Sequence, residues 1–508
     1  MRKLASIFLV IAFLFNGCVE KKTNVNYIKN RNYPIYGVSE FPKDLILLDN
    51  LNMGYNDILI SLFEGLVKAD SSGKIIPALA ESWNINNNNT VYTFKIRNNA
   101  SWNNGDKITS KDFVVFFSQI LNSNVKNIYD YQLFHIFGAE NYRKGKTDFN
   151  KVAINSVNDE TLEIRLNTPC NYLLDILSNP IYSLRKIDNN LKNWIINYDK
   201  LLYSGPYRIK HIKDEEMEIE KNLFYWDKDN VVSNRIIIEN NENRENSLAA
   251  FQSSKIDFLV SPPLSEIKSL KTKNQIMQIP SNSGKALAFN FKSEKVKDKE
   301  LRMAINNCID RENICGNILD DTGELWKFGM TDNKGNVNSN DITNKGKAFK
   351  ENLKLICGNS IENKKIIEEI KKDLKEKLDI DLDIIFYEEN DFINRLKEKE
   401  YDVALINIPK EYKNSICCYE KFLQNNSFNF ISYKNSNYEN IIYRAKIETN
   451  ERNQKELLTK AEKILINDVP IIPLYIEKNI ICKNEQIYNV QTNYNGNILL
   501  SRISFSNM

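Results

Sequence analysis

Histidine is almost missing from this chain: His135 and His211 are the only two in 508 residues, and they lie in different regions. A Ser-His-Asp or Cys-His site needs an imidazole beside its nucleophile, so such catalysis would rest on one isolated residue, and each histidine reads instead as a surface or packing residue. Zinc and redox chemistry lack their signatures too. The eight cysteines contain no C-x-x-C and no Cys/His pair at ligand spacing, and the seven after Cys18 are an odd number, which reads as buried free thiols. Adjacent Cys417 and Cys418 read as packing residues. P-loop, G-x-G-x-x-G, H-E-x-x-H and EF-hand spacings are all absent. No catalytic residue, metal ligand or cofactor is therefore assigned, and the chain reads as non-enzymatic. A formal charge of only +3, with basic and acidic residues interspersed, leaves no footprint for nucleic acid. Beyond the first residues no apolar stretch approaches the length of a transmembrane helix.

What is present points outward. Arg2 and Lys3 precede an apolar run from Leu4 to Phe15, followed by Asn16, Gly17 and Cys18. A dozen helical residues reach about 18 Å, short of the roughly 30 Å hydrocarbon core, so residues 1–17 are expected to be a signal peptide. The ending FNGC resembles the lipobox of bacterial lipoproteins, with Phe15 and Asn16 as departures. That resemblance implies cleavage before Cys18, acylation of its thiol and amine, and a membrane tether over 18–32. With 42% hydrophobic and 27% charged residues, the remainder is expected to be globular, soluble and divided into two to four domains.

The stretch Tyr401 to Tyr412, YDVALINIPKEY, is the most suggestive. Val403 to Ile408 reads as a short buried strand, which Pro409, Lys410 and Glu411 stop. Ligands of open α/β sheets sit beyond the carboxyl ends of strands, which makes Glu411 the first candidate for a ligand contact, although the window alone fits an ordinary solvated loop acid better. Upstream, IENKKIIEEIKKDLKEKLD (Ile361 to Asp379) has apolar residues at helical spacing, and DLDIIFY and a second helix from Asp391 to Lys399 follow. Such alternation implies an α/β domain with a mainly parallel sheet. The Asn56 to Val67 segment reads as a helix broken by Gly65, and YTFKIRNNASWNNGDKITSKDF reads as strand, turn and helix with Thr109 or Ser110 as N-cap. Asp320 to Leu353 reads only as a surface loop.

The blocks SLFEGLV, IIPALAESWN and YTFKIRNNASWNNGDKITSKDFVVFF closely resemble the peptide-binding solute-binding proteins of ABC importers. The resemblance continues through SGPYRI, NLFYWDKD, SLAAFQSSKIDFLV (Ser254 at a usual glycine), the helix ending CIDRENI, and the AEKILINDVPIIPLY ending, and so covers most of the chain. Within the block, Trp83, Trp102 and Phe113 are expected to fill a small-domain core.

The resemblance implies an α/β, two-lobed periplasmic-binding-protein-like fold (class C) with an extra inserted N-terminal domain. The expected segments are lobe I at 33–61, 185–283 and 479–508, the inserted subdomain at 62–184, and lobe II at 284–478. It implies an oligopeptide held largely through its backbone in the interlobe cleft by a monomer anchored on the extracytoplasmic face of a Gram-positive cell membrane, then delivered to a membrane permease with its ATPases. The family's W-x-A-D-Y falls on Ile408 to Tyr412, so Glu411 is expected to meet a peptide amine, with Asn407, Ile408 and Tyr412 beside it. Gly54, Tyr55 and Asn56 are expected to line the opposite lobe. Ile408 stands at the tryptophan, and Leu405 stands where a basic residue would help bind a carboxylate. Two other functions remain open: a peptide-sensing or structural surface lipoprotein, and a nickel or metal-chelate binder, for which two distant histidines make direct ligation unattractive.

Overall fold

The computed structural model describes residues 31–49, 55–326 and 349–506. Residues 1–30, which include Cys18, together with Gly54 and most of the Asp320 to Leu353 stretch, lie outside the described residues.

Two long strands, Ile276–Phe289 and Ile471–Lys483, run antiparallel through the middle of the molecule. The second is rich in Ile and the first ends in the apolar run ALAF, as befits the parts of the strands covered on two faces. Their register runs from Ile276 opposite Cys482 to Ala288 opposite Ile471, broken between Pro280 and Gly284 and again between Lys285 and Ala286. On one flank Val403–Pro409 pairs antiparallel to the first long strand, and Asn352–Gly358 and Asp381–Tyr387 follow in parallel. On the other flank come Phe258–Val260, Ile35–Val38, Arg235–Asn240 and the hairpin Glu216–Lys221 with Tyr207–Lys213. One eleven-stranded sheet thus threads two lobes, and the long strands cross between them. The expected parallel order holds for the three strands of the second lobe; the crossing strands adjoin them antiparallel.

The helix Ile361–Leu378 covers the second lobe. The Ser360 side chain caps it by accepting from Asn363 N at 3.0 Å, and Asp379 ends it in the left-handed region at φ 54°. Ile366, Ile367, Ile370 and Leu374 are buried against Leu353, Leu355 and Cys357, and of the charged residues Asp373 is buried while most of the others face out. The inserted subdomain has its own four-stranded antiparallel sheet, Ala80–Ile85, Val91–Ile96, Thr161–Arg165 and Ile154–Asn158. The helix Ser110–Ile120 lies over it, with Thr109 and Asp112 in a reciprocal capping box. Trp102 and Phe113 are buried there and Trp83 is half-buried, as their pattern implied.

The helix from Asn56 ends at Leu62, earlier than its apolar spacing suggests. The SGPY segment is the cause. Gly205 N donates to Leu62 O at 3.0 Å, and a Cβ on Gly205 would lie 2.6 Å from the Leu62 and Phe63 backbone. The chain then turns Glu64 inward, where its carboxylate accepts from Tyr225 Oη at 2.7 Å and Lys68 Nζ at 2.8 Å.

Ser254 follows the helix Arg244–Gln252 with φ at +58°. A Cβ is strained in that region and glycine is not, at the cost of extra freedom in the unfolded chain. Ser254→Gly is therefore expected to stabilise the protein by about 1 kcal/mol, read as a higher denaturation midpoint with unchanged slope; a lower midpoint would show that the hydroxyl matters more than the backbone.

Candidate ligand-binding cleft

Side chains alternate along Val403–Pro409, and that alternation decides what the strand shows to each side. Leu405, Asn407 and Pro409 line a cavity of about 540 Å³ between the lobes. Ile406 and Ile408 point the other way, into an apolar pocket with Phe422, Phe428 and Phe430. Asn407 therefore lies on the cavity wall, whereas Ile408, expected beside it, faces away, because neighbouring strand residues point to opposite sides. The first lobe contributes Tyr55, Asp57, Val260 and Ser261 to this cavity, and the crossing strands contribute Ser281, Asn282, Ser283 and Lys285.

A second cavity, about 820 Å³, lies beside the first, between the inserted subdomain, the first lobe and the C-terminal segment; Glu411 lines it, and Asn495 lines both cavities. The Asn495 side chain joins them by donating from Nδ2 to Glu411 O at 3.0 Å. Arg244 of the first lobe pairs with Glu362 of the second, Ser427 Oγ of the second lobe donates to Asp130 Oδ1 of the inserted subdomain at 3.0 Å, and within the first lobe Asn282 Nδ2 donates to Tyr494 O at 2.6 Å.

Four polar side-chain atoms on these walls lack protein partners. Asn407 Oδ1, Glu411 Oε1, Asn495 Oδ1 and Asn179 Nδ2 are buried and have no hydrogen-bond partner among the described residues. Each would cost about 1–3 kcal/mol if left so, which marks a surface built to be completed by something else.

Glu411 is itself buried, and its carboxylate already holds an ammonium from its own chain. Lys421 Nζ donates to Glu411 Oε2 at 2.6 Å and to Cys417 O at 2.7 Å, and it sits 5.3 Å from the Phe428 ring centroid. Lys421 comes from the turn Glu420–Phe422 that follows the short helix Ile416–Tyr419. Burial pushes the Glu411 carboxyl above its usual range while Lys421 opposes the shift. Burial, and then the charge of Glu411, push up the phenols of Tyr129 and Tyr131 on the inserted subdomain.

Tyr412 lines neither cavity. It is core: its hydroxyl donates to Glu420 Oε1 at 2.9 Å, and its ring stacks on Tyr172 with centroids 6.3 Å apart. Asn56 is also buried away from both cavities. Tyr55 does face the cleft, its hydroxyl donating to Glu40. The cleft has basic residues after all, in places the sequence pattern does not single out. Lys285 lies opposite Asn407 in the sheet, 3.5 Å from Glu477, and Lys410 and Arg244 also line the cavity. Alternation along SGKALAF was the available signal for Lys285; Lys421, ten residues from Glu411 across a folded loop, had none.

Asp57 is buried under the cleft wall, accepting from Tyr36 Oη at 2.9 Å and Ile498 N at 2.9 Å. Desolvation raises its carboxyl to about 7 despite those hydrogen bonds. The folded state then holds a proton that the unfolded chain releases near pH 4, so this group's contribution weakens as pH rises from about 4 to 7. Asp57→Asn removes that loss. The melting temperature of the variant minus that of the parent is expected to increase between pH 5 and pH 8; a difference flat with pH would show that Asp57 is already ionised at pH 5.

The model for bacterial extracellular solute-binding proteins, family 5 Middle, matches residues 74–429. Among curated proteins, the dipeptide-binding protein DppE of Bacillus subtilis is 28% identical over 469 residues, covering 86% of each chain. The oligopeptide-binding protein OppA of the same organism is 27% identical over 468 residues, covering 85% of each. Among solved structures, the Escherichia coli murein tripeptide binding protein MppA superposes with a TM-score of 0.84 at 19% identity, over 94% of this chain and 99% of that one. The two-lobed sheet, the cleft at its crossing strands and the length of the family match lead to one conclusion: this chain belongs to the family 5 bacterial extracellular solute-binding proteins, and it is a binding protein rather than an enzyme.

Proposed function

We propose that this protein captures oligopeptides in the cleft between its lobes and hands them to an ABC permease and its ATPases. It does so as a monomer held by lipidated Cys18 on the outer face of a Gram-positive cell membrane. The capture unit is lobe I (33–61, 185–283 and 479–508) closing on lobe II (284–478), with 62–184 as the insert. One observation carries this reading: the unpartnered donors and acceptors of Asn407, Glu411, Asn495 and Asn179 converge on two adjoining interlobe cavities. A peptide backbone offers both an N–H and a C=O at every residue, and it meets such a mixed set whatever its side chains. Tyr55 and Asn407 would contact the backbone from opposite lobes, with Lys285 and Lys410 available to a carboxylate. The names of DppE, OppA and MppA, each a peptide binder by name, support the same ligand class.

Small molecules released from the natively purified protein are expected to include peptides of a few residues by mass spectrometry; a metal chelate in their place would reject the reading. Anchoring is tested separately. Cys18→Ser is expected to move the protein from the membrane fraction to the culture medium and abolish fatty-acid labelling. Retention in the membrane would argue against lipidation at Cys18.

A further inference from the structure

The pairing of Glu411 with Lys421 bears on what kind of peptide the cleft takes, and this inference rests on the peptide reading above. Both side chains are almost wholly buried, at 0% and 1% exposure for Glu411 and Lys421. Lys421 neutralises Glu411 and spends a second donor on the Cys417 carbonyl. Next to this pair, the acid Glu420 is also matched: it accepts from Lys446 Nζ at 2.9 Å and from Tyr412 Oη. Lys410 is a further cation in the same neighbourhood, since Lys421 and Lys410 both act electrostatically on the Cys418 thiol. Asp175 also answers Lys410, but it feels Lys413 more strongly. An α-ammonium brought to Glu411 would therefore enter a buried site whose negative charge is already matched, beside two lysines. A buried cation without its own partner is strongly disfavoured.

The atoms still on offer along this wall are different in kind. Glu411 Oε1 and Asn495 Oδ1 are acceptors, and Asn179 Nδ2 is a donor whose companion oxygen is used by Ile181 N at 3.3 Å. Around a locally neutral pair, an uncharged amide, which carries one N–H and one C=O, meets one of these acceptors and the Asn179 donor without bringing in a charge. We infer that Lys421 stands on Glu411 in place of a ligand ammonium, so that this subsite takes an amide N–H, as in an N-acylated peptide, and rejects a free amino terminus. Lys421 is then a specificity-determining residue that acts through Glu411.

The test offers the mature chain two matched tetrapeptide libraries at equal concentration, one with free amino termini and one N-acetylated. Bound peptides are counted by mass spectrometry, and the best-retained sequence is titrated in both forms by calorimetry. The N-acetylated form is expected to bind at least about tenfold tighter, the factor one strong charge-dependent contact supplies. Lys421→Met strips Glu411 of its cation and is expected to invert the preference toward free peptides. Because that variant leaves a buried carboxylate unpaired and can fail to fold, Lys421→Met with Glu411→Gln is measured alongside; lacking both charges, it is expected to keep the preference for the acetylated form. Equal binding of the two libraries by the parent protein, or a preference for free termini, overturns the inference and leaves peptide capture intact. Retention of neither library by the parent overturns the peptide reading and this inference with it.

Discussion

The structure depends on the pairing of its two crossing strands, Ile276–Phe289 with Ile471–Lys483. Every other strand of the large sheet reaches the opposite lobe only through this ladder. The ladder is interrupted between Pro280 and Gly284, and the interruption is where the cleft has its floor. Ser281, Asn282 and Ser283 fall outside the register with the second long strand and line the smaller cavity. Continuous pairing would have consumed their polar groups. Gly284 resumes the ladder under the Trp326 ring, where a Cβ would stand 2.2 Å from the indole. The element that joins the lobes thus also brings Ser281, Asn282 and Ser283 to the cavity wall.

Burial of charge organises the rest of the site. Glu411 with Lys421, Glu420 with Lys446 and Tyr412, and Asp57 with Tyr36 and the Ile498 amide each put a carboxylate where water does not reach. Each removes charge from water at a cost that its partners only partly offset, and losing one partner would leave the other stranded. The first two networks lie within the second lobe, and the third ties the C-terminal segment to the first lobe. Four of the unmatched buried atoms, on Asn407, Glu411, Asn495 and Asn179, lie on the cavity walls, where they are placed to meet a hydrogen-bonding guest.

Much of this was legible in the residues. The strand Val403–Pro409, the helix Ile361–Leu378 and the Thr109 cap follow from local pattern, because apolar period and capping chemistry act over a few residues. The alternation within VALINIP also separates Asn407 from Ile408, so the expectation that both face the cleft conflicts with a rule already available in the sequence. The early end of the helix at Leu62 was not legible, since the glycine that receives it is Gly205, far along the chain. Tyr412 was misplaced for a similar reason: a motif position beside an acid does not reveal that Tyr172 and Glu420 will claim the ring and the hydroxyl.

By itself the sequence determined several of the strands and helices, the family, and the candidacy of one acid at the end of one strand. Those properties are written in local periodicity and in motifs that survive without knowledge of loop paths. The tertiary structure alone decided what that acid can do. Whether a lysine ten positions on reaches a carboxylate depends on how a helical turn and its flanking loop fold back, and the strength of their pairing depends on the exclusion of water by Phe428 and its neighbours. Ion pairing and desolvation are set by distance in space, which spacing along the chain does not encode.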